Sequence, residues 1–332
     1  MTERTVSPRR LTAALAALAL VAGLLVSMLG APPASAATSV VKVSNNTSIR
    51  CAFANYSTPT DWYFPSTGTP KGIVWLQHGF SENKSHWASY APGLAAEGYV
   101  VFATTLPTAD IFGCTLENVG NNRPYLNNIA SMFGSAASGS GALVSSYNDA
   151  ARRAGRTGLA LPSNWAFVGH SAGGETVTYI ANRLRTNHAG AFARLRGLVL
   201  EDPVNSFIGS NLSDALTGLN TSSLPIRTLA SPPYSCNNNQ AGVNLVVQKL
   251  TTRPFHGALV TSGTHVDVFG AGAGPLLTAT CGTPQAKNVS AVQTLTTAWL
   301  VDELAGTTTA AFYPGGATYN ALVGAGTIST LP

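Results

Sequence analysis

Gly169-His170-Ser171-Ala172-Gly173-Gly174 carries the Gly-x-Ser-x-Gly pattern, and its flanks decide how the pattern is read. Just before it, Trp165 to Val168 is a short apolar run of strand character; just after it, Val177, Ile180 and Ala181 fall at helical spacing. A strand that turns abruptly into a helix strains the backbone of its pivot residue and leaves no room for flanking side chains. Glycines at 169 and 173 supply that room. Ser171 Oγ is then held out at the C-terminal edge of a sheet, beside a helix N-terminus whose dipole favours developing negative charge. The competing reading is a Gly-rich turn without chemistry, since the pattern alone recurs by chance. Strand and helix in the right places argue for a nucleophile.

Outward from this turn, runs rich in β-branched and aromatic residues alternate with Ala/Leu-rich helical patterns, the signature of a mainly parallel sheet with helices on its faces. Eight strands are expected: Val40 to Val43, Trp62 to Phe64, Ile73 to Gln77, Tyr99 to Thr104, Trp165 to Val168, Leu198 to Leu200, Ile226 to Leu229 and Ala258 to Thr261. The central ones are continuously apolar, as strands buried on both faces are. Helical patterns occupy His86 to Glu97, Ala142 to Ala154, Gly173 to Thr186 and Val289 to Glu303, and Gly134 to Gly141 reads as a short Gly/Ser/Ala loop. The fold class is therefore α/β, with a central eight-stranded sheet flanked by helices.

A serine hydroxyl is a poor nucleophile until a base takes its proton. Between Pro203 and Thr264 the only acidic residue is Asp214, so no acid is available after the seventh strand. The acid must come from Glu201-Asp202-Pro203, at the end of the sixth strand and on the same sheet edge as Ser171. Asp202 is preferred because it lies nearer the loop, with Pro203 setting the turn that aims it; a surface acid at a strand end is the alternative. Of the histidines that follow, His256 precedes the eighth strand and belongs to the wrong end of the sheet, whereas His265 follows it. His265 is the expected base, against a loop histidine paired with Asp267. His188 reads as a surface residue.

Gln77-His78-Gly79-Phe80 follows the third strand, where a second oxyanion donor is placed in such architectures. The donors would be the Phe80 and Ala172 N–H groups. His78 reads as structural, since it precedes the nucleophile. Substrate choice falls to the loops Leu106 to Asn122 and Asn205 to Ser223. Phe80, Trp87, Phe207 and Ile208 are candidate apolar walls, although aromatic residues in such loops often serve only packing.

With these residues in hand, the chain resembles the chlorophyllase and bacterial cutinase (polyester hydrolase) and lipase branch of the α/β-hydrolases over nearly its whole length. The resemblance rests on the Gly-His-Ser-x-Gly-Gly turn at Gly169 to Gly174, on Asp202-Pro203-Val204, and on the histidine loop Gly263 to Asp267. It implies the α/β-hydrolase fold, a serine hydrolase of the EC 3.1.1 class, carboxylic-ester substrates (lipid, short-chain ester or polyester) and no cofactor. It also favours Asp202 independently. Plant chlorophyllases have a basic residue where this chain has Ala172, and chlorophyll is not the expected substrate.

The N-terminus reads as an export signal over residues 1–36. Arg4, Arg9 and Arg10 precede the apolar stretch Leu11 to Leu29, and Ala34-Ser35-Ala36 offers a small-residue cleavage site. A retained anchor is the competing reading, because spanning needs about 20 apolar residues. Residues 37–332 then form a single secreted, extracellular domain with no membrane span, expected to be monomeric. Removing the signal's three Arg and one Glu leaves a net charge of +3, too mild and too scattered for nucleic acid. Cys51, Cys114, Cys236 and Cys281 all lie in the mature part, an even number that suggests two disulfides in an exported chain. The pairing Cys51–Cys114 and Cys236–Cys281 is favoured because each falls within one half of the chain. No Cys or His spacing suits a metal.

Two rivals remain. An acyltransferase acting on cell-envelope lipids or sugars would use the same fold and excludes water from the acyl-enzyme, which sequence does not reveal. A non-catalytic binding protein on the same scaffold is disfavoured by a complete Ser, Asp and His set in order.

Overall fold

Nine strands build the sheet of the computed structural model, which describes residues 39–332. They are β1 (Val40–Cys51), β2 (Ala54–Pro65), β3 (Ile73–Gln77), β4 (Val100–Thr104), β5 (Trp165–His170), β6 (Leu195–Glu201), β7 (Ile226–Ala230), β8 (Gly257–Val260) and β9 (Ile328–Thr330). Their order across the sheet is β1-β2-β4-β3-β5-β6-β7-β8-β9. The six strands from β4 to β8 pair in parallel, while β1 with β2, β2 with β4, and β8 with β9 are antiparallel. The expected export signal and its cleavage site lie outside the described residues. Thr38–Pro332 forms one compact unit.

Side chains on a strand alternate between faces, so a strand buried on both sides feeds two cores. Trp75, Phe167, Leu198 and Leu200 point to one face, Val74, Leu76, Val168 and Val199 to the other. The helices Arg123–Ala137, Ala142–Arg153 and Ala172–Asn187 cover the first face with Phe133, Tyr147, Val177 and Ile180. Ala91–Ala96 and Ala286–Ala305 cover the second with Leu94, Leu295 and Trp299. Each such buried side chain contributes roughly 1.5–3 kcal/mol.

All eight expected strands are present, and β9 adds a ninth at the edge beside β8. The expected helix at His86 to Glu97 is divided into a 3₁₀ turn, Lys84–Ser89, and the helix Ala91–Ala96, with Pro92 at the start of the second. Gly134 to Gly141 is not all loop: its first four residues end the helix Arg123–Ala137, because Met132, Phe133 and Ala136 are buried there and packing overrides weak propensity. Asn205 to Ser223 likewise contains a helix, Asn211–Leu219. The disulfides are Cys51–Cys114 and Cys236–Cys281, with Cα separations of 5.8 and 5.6 Å. Among the described residues no helix is long and apolar enough to cross a membrane.

Candidate active site

The pivot after β5 is as tight as its sequence requires. Ser171 has φ of 56° and ψ of −127°, and the helix Ala172–Asn187 begins at the next residue. A Cβ at Gly169 would lie 2.3 Å from Gly173 O, and one at Gly173 would lie 2.4 Å from His78 O. Neither position tolerates a side chain. The Ser171 backbone is pinned to the neighbouring strand end: its N–H donates to Glu201 O at 3.0 Å, and its carbonyl accepts Val204 N–H at 3.0 Å.

Parallel strands deliver their C-terminal ends to one edge, and the sequence-predicted residues gather there. Asp202, directly after β6, also has positive φ, 45°. Its Oδ2 accepts His265 Nδ1–H at 2.7 Å and Ser231 Oγ–H at 2.5 Å, and Oδ1 accepts Ser231 N–H at 3.1 Å. Asn237 Nδ2 adds a further bond at 3.2 Å. Asp202 and His265 are both buried. Asp267, the rival partner of His265, instead accepts Thr264 N–H and Oγ–H and shapes the base's own turn. Glu201 points away from the edge and accepts Thr296 Oγ–H; burial pushes its carboxyl up to about 8.

The turn after β3 abuts the pivot. A Cβ on Gly79 would lie 2.6 Å from Ser171 Cβ. The N–H groups of Phe80 and Ala172 have no acceptor among the described residues, so two donors stand free beside the serine. His78 is buried, its Nδ1–H donates to Gly79 O at 2.7 Å, and burial lowers it to about 4. His256 lies at the opposite end of the sheet, with both ring nitrogens on carbonyl oxygens of Pro332 and Leu250.

Trp87 needs correcting as an apolar wall. It is fully buried, its ring edge-on to Phe269 at 4.9 Å, because its 3₁₀ turn faces the core. Phe207 and Ile208 are exposed, and Phe80 is 46 % exposed. Phe80 also borders a cleft of about 750 Å³ whose other walls include Thr108, Ile111, Phe112, Val119 and Pro124. The single carboxylate there, Asp110, accepts Phe112 N–H and Cys114 N–H on Oδ1.

Four residues escaped the sequence reading. Ser231 and Asn237 hold Asp202, as described. Glu175, in the first turn after Ser171, accepts Ser206 N–H at 2.9 Å and Ser206 Oγ–H at 2.5 Å, while Ser206 Oγ accepts Asn118 N–H at 2.8 Å. One carboxyl group thus fastens the loops 106–122 and 205–223 to the helix that follows Ser171; burial, with the nearby Glu117 adding to it, pushes Glu175 up to about 7. Glu82 is the fourth: it accepts Gly79 N–H at 2.6 Å and faces His170. Among the described residues no cluster of three or more His, Cys, Asp or Glu is arranged to hold a metal ion.

No family model matches the chain, and no curated protein matches it. Among solved structures it is similar to a ferulic acid esterase from Streptomyces cinnamoneus, at 13 % sequence identity and a TM-score of 0.59, over 91 % of this chain and 98 % of that one. It is also similar to a dienelactone hydrolase from Anabaena variabilis, at 12 % identity and a TM-score of 0.46, over 78 % of this chain and 97 % of that one. At such identity the likeness to the esterase is one of fold. Together with the sheet order, it gives the chain the α/β-hydrolase fold.

Proposed function

We propose that this chain is a secreted serine hydrolase of carboxylic esters, with Ser171 as nucleophile, His265 as base and Asp202 as its orienting acid. The observation that carries the reading is the 2.7 Å bond from His265 Nδ1 to a fourfold-held Asp202, at the sheet edge that also presents Ser171. That bond fixes the tautomer in which Nε2 is free to take a proton, and it stabilises the imidazolium once formed.

Ser171 Oγ attacks the ester carbonyl carbon as His265 Nε2 takes the hydroxyl proton. The carbonyl oxygen becomes an oxyanion facing the Phe80 and Ala172 N–H groups. Collapse expels the alcohol, which leaves with the proton from His265, and the acyl group stays on Ser171. A water molecule, deprotonated by His265, repeats the sequence and releases the acid. Ser171 Oγ and His265 are not hydrogen-bonded in the structure, and catalytic pairs of this kind commonly tighten only when substrate is bound.

The cleft beside Phe80 supports an apolar group on the substrate, since Phe80, Ile111, Phe112, Val119 and Pro124 line it. Two disulfides, rare in reducing compartments, support export. The test is hydrolysis of p-nitrophenyl esters of increasing acyl length by the mature protein and by Ser171→Ala. Nitrophenol release by the parent alone is expected; equal release by both would remove Ser171 from the mechanism, and release by neither would remove simple esters.

A further inference from the structure

His170 and Glu82 take no part in the mechanism above, yet they connect its parts. His170 ends β5 and immediately precedes Ser171. Its Nε2–H donates to the main-chain O of His265 at 2.6 Å, and its Nδ1–H donates to Glu82 Oε2 at 3.0 Å. The same carboxylate oxygen accepts Gly79 N–H at 2.6 Å. Both side chains are buried, so no solvent competes for these bonds.

The proton count follows from the partners. A carbonyl oxygen has no proton to give, so Nε2 must carry one. Glu82 Oε2 already receives the Gly79 N–H, which suits a carboxylate, and Nδ1 then carries the second proton. The bonds fit an imidazolium facing a carboxylate, the form that the mutual attraction of the two groups favours. Around it stand Glu82, Asp202, Glu201, His78 and His265, whose ring centroid is 4.5 Å away, while Phe269 packs edge-on at 4.6 Å. Burial alone would strip His170 of its charge, but the charge and hydrogen bond of Glu82 and the His265 carbonyl outweigh it and hold the group above its ordinary value. Burial would likewise neutralise Glu82, and the His170 charge reverses that too.

We propose that Glu82 and His170 form a buried positioning pair, which ties the oxyanion turn to the base's loop. The inference rests on the ester-hydrolase reading of Ser171 and His265. Glu82 holds the His78–Gly79 peptide, one residue before the Phe80 N–H that would meet the oxyanion. His170 sets the backbone of His265 from behind.

The test compares the parent, Ser171→Ala, Glu82→Gln and His170→Gln on p-nitrophenyl butyrate. Misplaced donors and base are expected to lower kcat by roughly 10- to 100-fold in both glutamine variants, with KM little changed. Imidazole ¹⁵N spectra of the parent serve as a check independent of any variant's folding, with His170 assigned among the six histidines by its loss in His170→Gln or by contacts to Phe269. Both its nitrogens are expected to stay protonated at pH values where a free imidazole has lost one proton, since Glu82 holds the group above its ordinary value. Parental kcat in both variants, or one unprotonated His170 nitrogen at a pH where a free imidazole begins to lose its proton, overturns the proposal. A parent inactive on every ester sinks the hydrolase reading and the positioning role with it, whereas an active parent with unaffected variants sinks only the latter.

Discussion

Asn237 donates from Nδ2 to Asp202 Oδ2 over 3.2 Å, and the residue before it, Cys236, is bonded to Cys281. The proposed acid is thus supported from a turn with little regular structure of its own, in which Asn238, Asn239 and Gln240 all have positive φ. The bridge spans 45 residues, and a disulfide of that reach stabilises a fold by about 2–4 kcal/mol. The Cys236→Ser/Cys281→Ser double variant is expected to lose about that much in urea unfolding, and to lose kcat at temperatures where circular dichroism still reports a folded sheet. A full kcat in the folded variant would separate the bridge from the site.

Gly79 leaves no space for a methyl group, since its Cβ would meet Ser171 Cβ at 2.6 Å. Gly79→Ala must push the oxyanion turn away from the pivot, carrying the Phe80 N–H with it. A loss of ~10²–10³ in kcat is expected, as for removal of one oxyanion donor. Parent-like kinetics would show that Phe80 N–H is not such a donor.

Burial raises Glu201 to about 8 in the folded state. An unfolded glutamate ionises near 4.5, so between about pH 4.5 and pH 8 only the unfolded chain gives up this proton, and stability falls as pH rises through that window. Glu201→Gln keeps an acceptor for Thr296 and cannot ionise. Denaturation at several pH values should find it equal to the parent near pH 4 and more stable above pH 8, by on the order of a few kcal/mol. A variant less stable at every pH would mean that the charged form is accommodated.

Phe112 is exposed on the cleft beside Phe80. A charge there should disturb only substrates long enough to reach it. Phe112→Asp is expected to raise KM for long acyl esters by about tenfold or more while leaving the butyrate ester unchanged, the loss matching one or two buried methylenes. Equal effects on both esters would place the acyl chain elsewhere.

What was legible in the sequence was what leaves a local trace. The pivot at Gly169 to Gly174 shows in glycine spacing, the central strands in unbroken apolar runs, and Asp202 in the scarcity of other acids. β1 reads as a strand only to Val43, because from Ser44 onward it turns polar and satisfies itself against a helix: Asn45 Nδ2 reaches Ser146 O, and Thr47 Oγ–H reaches Ser146 Oγ. β9 is three residues long and owes its strand form to β8. Trp87 shows why an aromatic near a site is ambiguous, since sequence does not say which way a short turn faces. His170 looks like filler within the pattern; its partners lie 88 and 95 residues away.

Ser171 occupies backbone space that suits glycine, with φ of 56°. For a residue with a Cβ this conformation costs roughly 1–2 kcal/mol, and the strand behind it and the helix ahead hold it there. Ser171→Gly should therefore unfold later than the parent while hydrolysing nothing. On the proposed mechanism, the pivot is a place where the most stable chain and the most active chain have different sequences, and selection for heat resistance alone would drift toward the inert one.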